Sequence, residues 1–133
     1  MLQIVADLHL INMVLVLATS LVAGVWGLIL YFRKKNIEVI NRPWRIALMI
    51  AAGDGLLQGL FGIILVLLGA KPSGGSLYYL HYVYGAIVAL AIPVALTYSS
   101  KRVRLNILIF SLAALVITAA AVRAMMTGLG IGG

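Results

Sequence analysis

The sequence predicts an all-α protein, a four-transmembrane-helix up-and-down bundle. Three observations carry that prediction. Apolar residues make up 64% of the 133 and charged ones only 10%, with a mean hydropathy of +1.16. A water-soluble chain of this length has too little interior for so much apolar surface, so lipid is its natural solvent. The apolar residues gather into four runs, Leu8 to Phe32, Trp44 to Gly69, Leu77 to Ser99 and Leu105 to Met126. Each can cross a hydrocarbon core of ~30 Å at ~1.5 Å per residue. Hydrocarbon offers no partner to an unpaired peptide group, so each run must be helical. The connections between runs are short, which makes sequential helices antiparallel neighbours. One integral membrane domain over residues 1–133 follows.

The first run is too long for the apolar core of a signal peptide. No basic residue precedes it, and it ends on Arg33-Lys34-Lys35, so it reads as a retained span. The second run holds Gly53, Asp54, Gly55, Gln58, Gly59 and Gly62, and leads into the turn-forming string Lys71-Pro72-Ser73-Gly74-Gly75. The third opens on Tyr78, Tyr79, Tyr82 and Tyr84 gathered around His81. Pro93 is expected to kink this helix without ending it, because neighbouring groups re-satisfy the freed carbonyl. The fourth carries Arg123 near its far end.

Charge sets the expected orientation. Eight of the ten basic residues fall between the first and second runs, between the third and fourth, or just inside the flanking helices. The positive-inside rule makes that side cytoplasmic and sends both termini outward, in a prokaryotic plasma membrane. The formal charge of +7 is thereby explained without nucleic acid; the partner is the bilayer with its anionic headgroups. Tyr31, Phe32, Trp44 and Tyr98 are expected at the inner boundary, with the tyrosine cluster at the outer one.

The topology gives the polar residues their depths. The two histidines of the chain, His9 and His81, begin the first and third spans and share the outer layer. Parallel spans in such a bundle can sit diagonally and face each other across the core. Two facing imidazoles are what a low-spin haem b requires, with His9 and His81 as iron ligands. From His9 the helical progression runs through Asn12, Met13, Val16, Ser20, Ala23 or Gly24, and Gly27. From His81 it runs through Tyr84, Gly85, Val88 and Ile92, with Gly85 leaving room for a flat macrocycle. Interfacial or structural histidines are the plain alternative, and a stripe of small residues also simply lets helices approach. Asp54 and Gln58 stand one turn apart near mid-membrane. An acid there must face the bundle interior, as a proton relay, a ligand's partner or a helix–helix hydrogen bond. Arg123, at the depth of the histidines, either reaches for the surface or pairs with haem carboxylates. The absence of cysteine excludes disulfides, thiolate metal sites and thiol catalysis.

The order of these landmarks resembles one four-helix half of the haem A synthase family. The resemblance rests on His9 in Asp7-Leu8-His9-Leu10, the basic Arg33-Lys34-Lys35, then Gln58-Gly59-Leu60-Phe61-Gly62, Lys71-Pro72, and His81-Tyr82-Val83-Tyr84-Gly85. It covers about residues 5 to 126 and implies haem ligation by His9 and His81. The chain holds one such half, has Asp7 two residues before His9 and Leu10 after it, and lacks a cysteine pair, so the resemblance implies haem binding rather than catalytic oxidation of haem.

The sequence therefore points to a small b-type haem protein for electron transfer or haem handling, an electron carrier or subunit rather than a stand-alone catalyst. His9 and His81 would hold the iron, Arg123 a propionate, with Gln58, Tyr84 and Gly85 lining the site. Other membrane subunits or redox partners would complete its setting. One rival is a cofactor-free accessory subunit of a respiratory or photosynthetic membrane complex. Another is a small transporter with Asp54 as carrier acid.

Overall fold

The computed structural model describes residues 1–131. Four long helices account for most of them: α1 (Leu2–Arg33), α2 (Arg42–Leu67), α3 (Tyr79–Thr97) and α4 (Val103–Gly128), with one turn of 3₁₀ helix at Gly75–Leu77 before α3. All four spans are long and apolar enough to cross a membrane. Their outward faces suit lipid: Leu10, Ile11, Val14, Met49, Ile63 and Leu96 are each more than half exposed. The interior holds Asn12, Ser20, Gln58, Ser111 and Thr127, all buried. These five stand among a mostly apolar interior, and apolar residues cover the outside as well, as suits a lipid solvent.

The helices depart from the hydropathic runs at their ends. Hydropathy marks what can sit in hydrocarbon, not where a helix stops. α1 begins at Leu2 rather than Leu8, because residues 2–8 contain no breaker and the Gln3 amide donates to Asp7 Oδ1 one turn on, at 2.7 Å. α3 begins at Tyr79, since Leu77 belongs to the 3₁₀ turn, and runs through Pro93 to Thr97. Asn41 caps α2 by accepting from Trp44 N, with Pro43 in the first turn where its missing N–H costs nothing. Gly69 and Gly130, both at positive φ, end α2 and α4. In each the next residue's N–H returns to a carbonyl five residues back, Ala70 to Leu65 and Ile131 to Met126.

α1 packs against α2 and α4, and α3 packs against the same two. α1 and α3 therefore lie diagonally across the bundle. The buried face of α1 is Asn12, Met13, Val16, Ser20, Ala23, Gly24, Gly27 and Leu30, the stripe that the spacing from His9 predicts. Ser20 on α1 meets Thr118 on α4 through their hydroxyls at 2.8 Å.

Trp44 stands at the expected end of α2 but faces into the bundle rather than outward. It is 0% exposed, and its indole N–H donates to Ala23 O at 2.9 Å. Gly27 is the reason: a Cβ there would come within 2.9 Å of Trp44 Nε1 and Cζ2 and would overlap Ser111 Oγ. The ring seats in a notch that only glycine leaves open. At this same end, which also carries the basic connections, Arg104 stacks 3.9 Å over the Tyr31 ring and donates to Tyr31 O at 3.1 Å. It thereby occupies a carbonyl of the last turn of α1. At the opposite end, which carries the start of α1 and the end of α4, Ser73 N donates to Gly128 O at 3.3 Å, tying the α2–α3 connection to α4.

Candidate functional site

His9 lies two turns into α1, and His81 is the third residue of α3. The diagonal arrangement of these helices turns both side chains into the same layer near the terminal end. Their ring centroids stand 6.2 Å apart, with the planes tilted by 59°. Both rings are half-buried.

Each imidazole is positioned by one of the other two helices. His81 Nδ1 lies 2.8 Å from Ala124 O on α4. A carbonyl only accepts, so Nδ1 carries a proton and donates. Gly128 lets α4 approach this closely: a Cβ there would sit 3.0 Å from His81 Cε1. His9 Nε2 lies 3.2 Å from Gln58 Nε2 on α2. The orientation of the Gln58 amide follows from Asn12, whose Nδ2 donates to Gln58 Oε1 at 2.9 Å. The Gln58 NH₂ group therefore faces His9 and donates to Nε2, which places the His9 proton on Nδ1. That nitrogen is buried and has no hydrogen-bond partner, an arrangement costing about 1–3 kcal/mol. In this arrangement His9 Nε2 accepts from Gln58 and His81 Nδ1 donates to Ala124 O.

Asn12 and Gln58, 4% and 2% exposed, lock α1 to α2. The second amide proton of Asn12 goes to Asp54 O at 2.9 Å. Asn12→Leu is expected to cost about 1–3 kcal/mol, because Gln58 Oε1 is left buried and unpaired. Unfolding by a denaturing detergent measures it. The double variant Asn12→Leu, Gln58→Leu is expected to be more stable than Asn12→Leu alone, since both partners then leave together.

The structure brings three of the expected residues together, His9, His81 and Gln58. Arg123 and Tyr84 form a second pair, with the guanidinium carbon 5.7 Å from the ring centroid, and Arg123 Nη1 lies 4.0 Å from Met126 Sδ. The space beside Gly85 is open, with nothing within 4 Å of a Cβ built there. Asp54 belongs to a different place, the α1–α2 seam, where Thr19 Oγ1 lies 3.0 Å from Asp54 Oδ2. Asn12, Thr19, Gly128 and the carbonyl of Ala124 are additions to the expected set. Asn12 has a sequence signal, one turn from His9 on the same face. A backbone carbonyl has none.

No protein-family model, curated protein or solved structure matches the chain.

Among the described residues no three His, Cys, Asp or Glu side chains converge as a metal-holding group. The donor set of the layer is two imidazoles, which suits a metal whose remaining positions are filled by its own macrocycle. The two rings stand 6.2 Å apart with their planes tilted by 59°, and His9 Nε2 is turned to Gln58. The Gln58 amide occupies the Nε2 side of His9.

Proposed function

We propose that this chain is a small integral membrane haem protein of b type that carries electrons or hands on haem, its iron held between His9 and His81. The observation that carries the reading is the meeting of the chain's two histidines, from diagonal helices, at 6.2 Å. A bis-imidazole haem supplies one-electron transfer with no coordination position open to a substrate. The residues of the chain would bind and orient it. Ala124 O would hold the His81 ring in place through Nδ1. Gln58 would have to turn from His9 Nε2, and its bond to Asn12 would keep it beside the site. Arg123, stacked on Tyr84, supplies a cation for the haem carboxylates. With the basic connections on the cytoplasmic side, the site lies in the outer half of the membrane.

The rival reading is a cofactor-free subunit of a larger membrane complex. The observation on its side is that Gln58 and Ala124 already give the two rings hydrogen bonds. A reduced-minus-oxidised visible spectrum of the detergent-purified protein, made with haem supplied, separates the two. The haem reading expects a sharp low-spin b-type difference signal at about one haem per chain. A folded, colourless protein overturns it in favour of the subunit.

A further inference from the structure

Asp54 stands at the middle of α2, and the middle turns of the four helices contain no other ionisable side chain. Among the described residues its carboxyl group meets no cation. Its carboxyl group is joined instead to a hydroxyl, with Asp54 Oδ2 3.0 Å from Thr19 Oγ1. The same hydroxyl lies 2.8 Å from Leu15 O, one turn back on α1. A hydroxyl has one proton to give and lone pairs with which to receive, whereas a backbone carbonyl only accepts. Two hydrogen arrangements therefore satisfy these atoms. With Asp54 ionised, Thr19 donates to Oδ2, and Leu15 O keeps its helical bond. With Asp54 protonated, the carboxyl donates to Thr19, and Thr19 donates to Leu15 O. The change between them rotates one hydroxyl and moves no heavy atom.

We propose that Asp54 is a reversible proton-binding site within the membrane, with the Thr19 hydroxyl as its partner in both charge states. The ligand is a proton, and the proposal stands whether or not the histidine layer holds haem. An isolated carboxylate at this depth costs at least ~2.5 kcal/mol on insertion scales, and a single hydroxyl offsets only part of that. The site is also reachable. Asp54 and Thr19 are both partly exposed, and Thr19 lines a shallow groove with Ala18, Val22, Ala47 and Ile50 between α1 and α2. The charged and titratable groups of the packed elements stand at the helix ends. α1 contributes Asp7, His9, Tyr31 and Arg33, α3 contributes Tyr79, His81, Tyr82 and Tyr84, and α4 contributes Arg104 and Arg123. Of these, His9 is linked to Asp54 by hydrogen bonds among the described residues, through Gln58 and the Asn12 amide, which ends on the Asp54 backbone carbonyl.

An apolar carbodiimide tests this, because the acid adds across one C=N bond with its proton passing to nitrogen, so the protonated carboxyl is the species that reacts. The full chain in lipid vesicles is treated with dicyclohexylcarbodiimide over a series of pH values, and adducts are located by mass spectrometry. The expected result is an adduct at Asp54 that falls about tenfold per pH unit above its midpoint. Thr19→Val removes the donor on which the anion depends, and bonds to charged groups are the stronger ones. Its labelling is therefore expected to persist to higher pH, whereas a purely structural role for Thr19 leaves the profile in place. Asp54 that stays unlabelled at every pH in the folded protein, yet reacts once the chain is unfolded in the same reagent, overturns the proton site. An unchanged profile in Thr19→Val overturns the part assigned to the hydroxyl. Neither test requires Asp54→Asn to fold.

Discussion

His81→Asn and His9→Gln are each expected to abolish a bis-imidazole haem signal while leaving the bundle folded. The choice of substitution matters. His81 bonds α4 through Nδ1, and the amide nitrogen of asparagine can occupy that same position on the side chain. His9 receives Gln58 at Nε2, where the terminal amide oxygen of glutamine can accept instead. Each variant keeps the hydrogen bond to the neighbouring helix and removes the nitrogen offered to iron. Helix content by circular dichroism and the detergent unfolding midpoint are expected to stay close to wild type, within about 1 kcal/mol. The visible spectrum is expected to lose its low-spin signal completely. His81→Ala also opens space above Gly128, so free imidazole added to that variant is expected to restore part of the signal. A spectrum that survives in both His81→Asn and His9→Gln places any haem elsewhere and removes these two residues from the reading.

Much of this arrangement is legible before the chain folds, and the reasons are physical. Spans in lipid must satisfy their own peptide groups, so four apolar runs could only become four helices. Short connections then made them antiparallel, and the bundle placed α1 and α3 on a diagonal. From that point the helical period alone selected the inward stripe of α1, from Asn12 to Gly27. What the sequence does not carry is the identity of partners across helices. His81 found a backbone carbonyl, and every residue type has one. Asp54 found Thr19 rather than a cation, because α1 and α2 meet at a register that composition does not encode. The Tyr-rich entry to α3 divides accordingly. Tyr78, Tyr79 and Tyr82 remain among the more exposed residues. Tyr84 is half-buried and lies under Arg123.

Trp44 is where the sequence reading and the structure differ most, and its replacement is expected to have the largest effect on stability. Tryptophan at the mouth of a span suggests an interfacial ring, yet this one is fully buried in the notch at Gly27. Lipid tails are as apolar as a bundle interior, so burying the indole gains nothing from hydrophobic transfer. Its contribution comes from close contacts with α1 and α4 and from the N–H bond to Ala23 O. Trp44→Ala loses all of these and leaves a cavity at a three-helix junction. A cost of about 3–5 kcal/mol is expected, read from unfolding in denaturing detergent. Trp44→Phe should retain part of the packing and lose the N–H bond. Gly27→Ala approaches the same junction from the other side and is expected to cost about 1–3 kcal/mol, because the added methyl meets both Ser111 and the indole. The two sites share one volume, so the costs should not add. Gly27→Ala combined with Trp44→Ala is expected to be less damaging than the sum of the single variants by at least about 0.5 kcal/mol. An additive pair, or a Trp44→Ala variant as stable as wild type, would return the indole to the membrane interface.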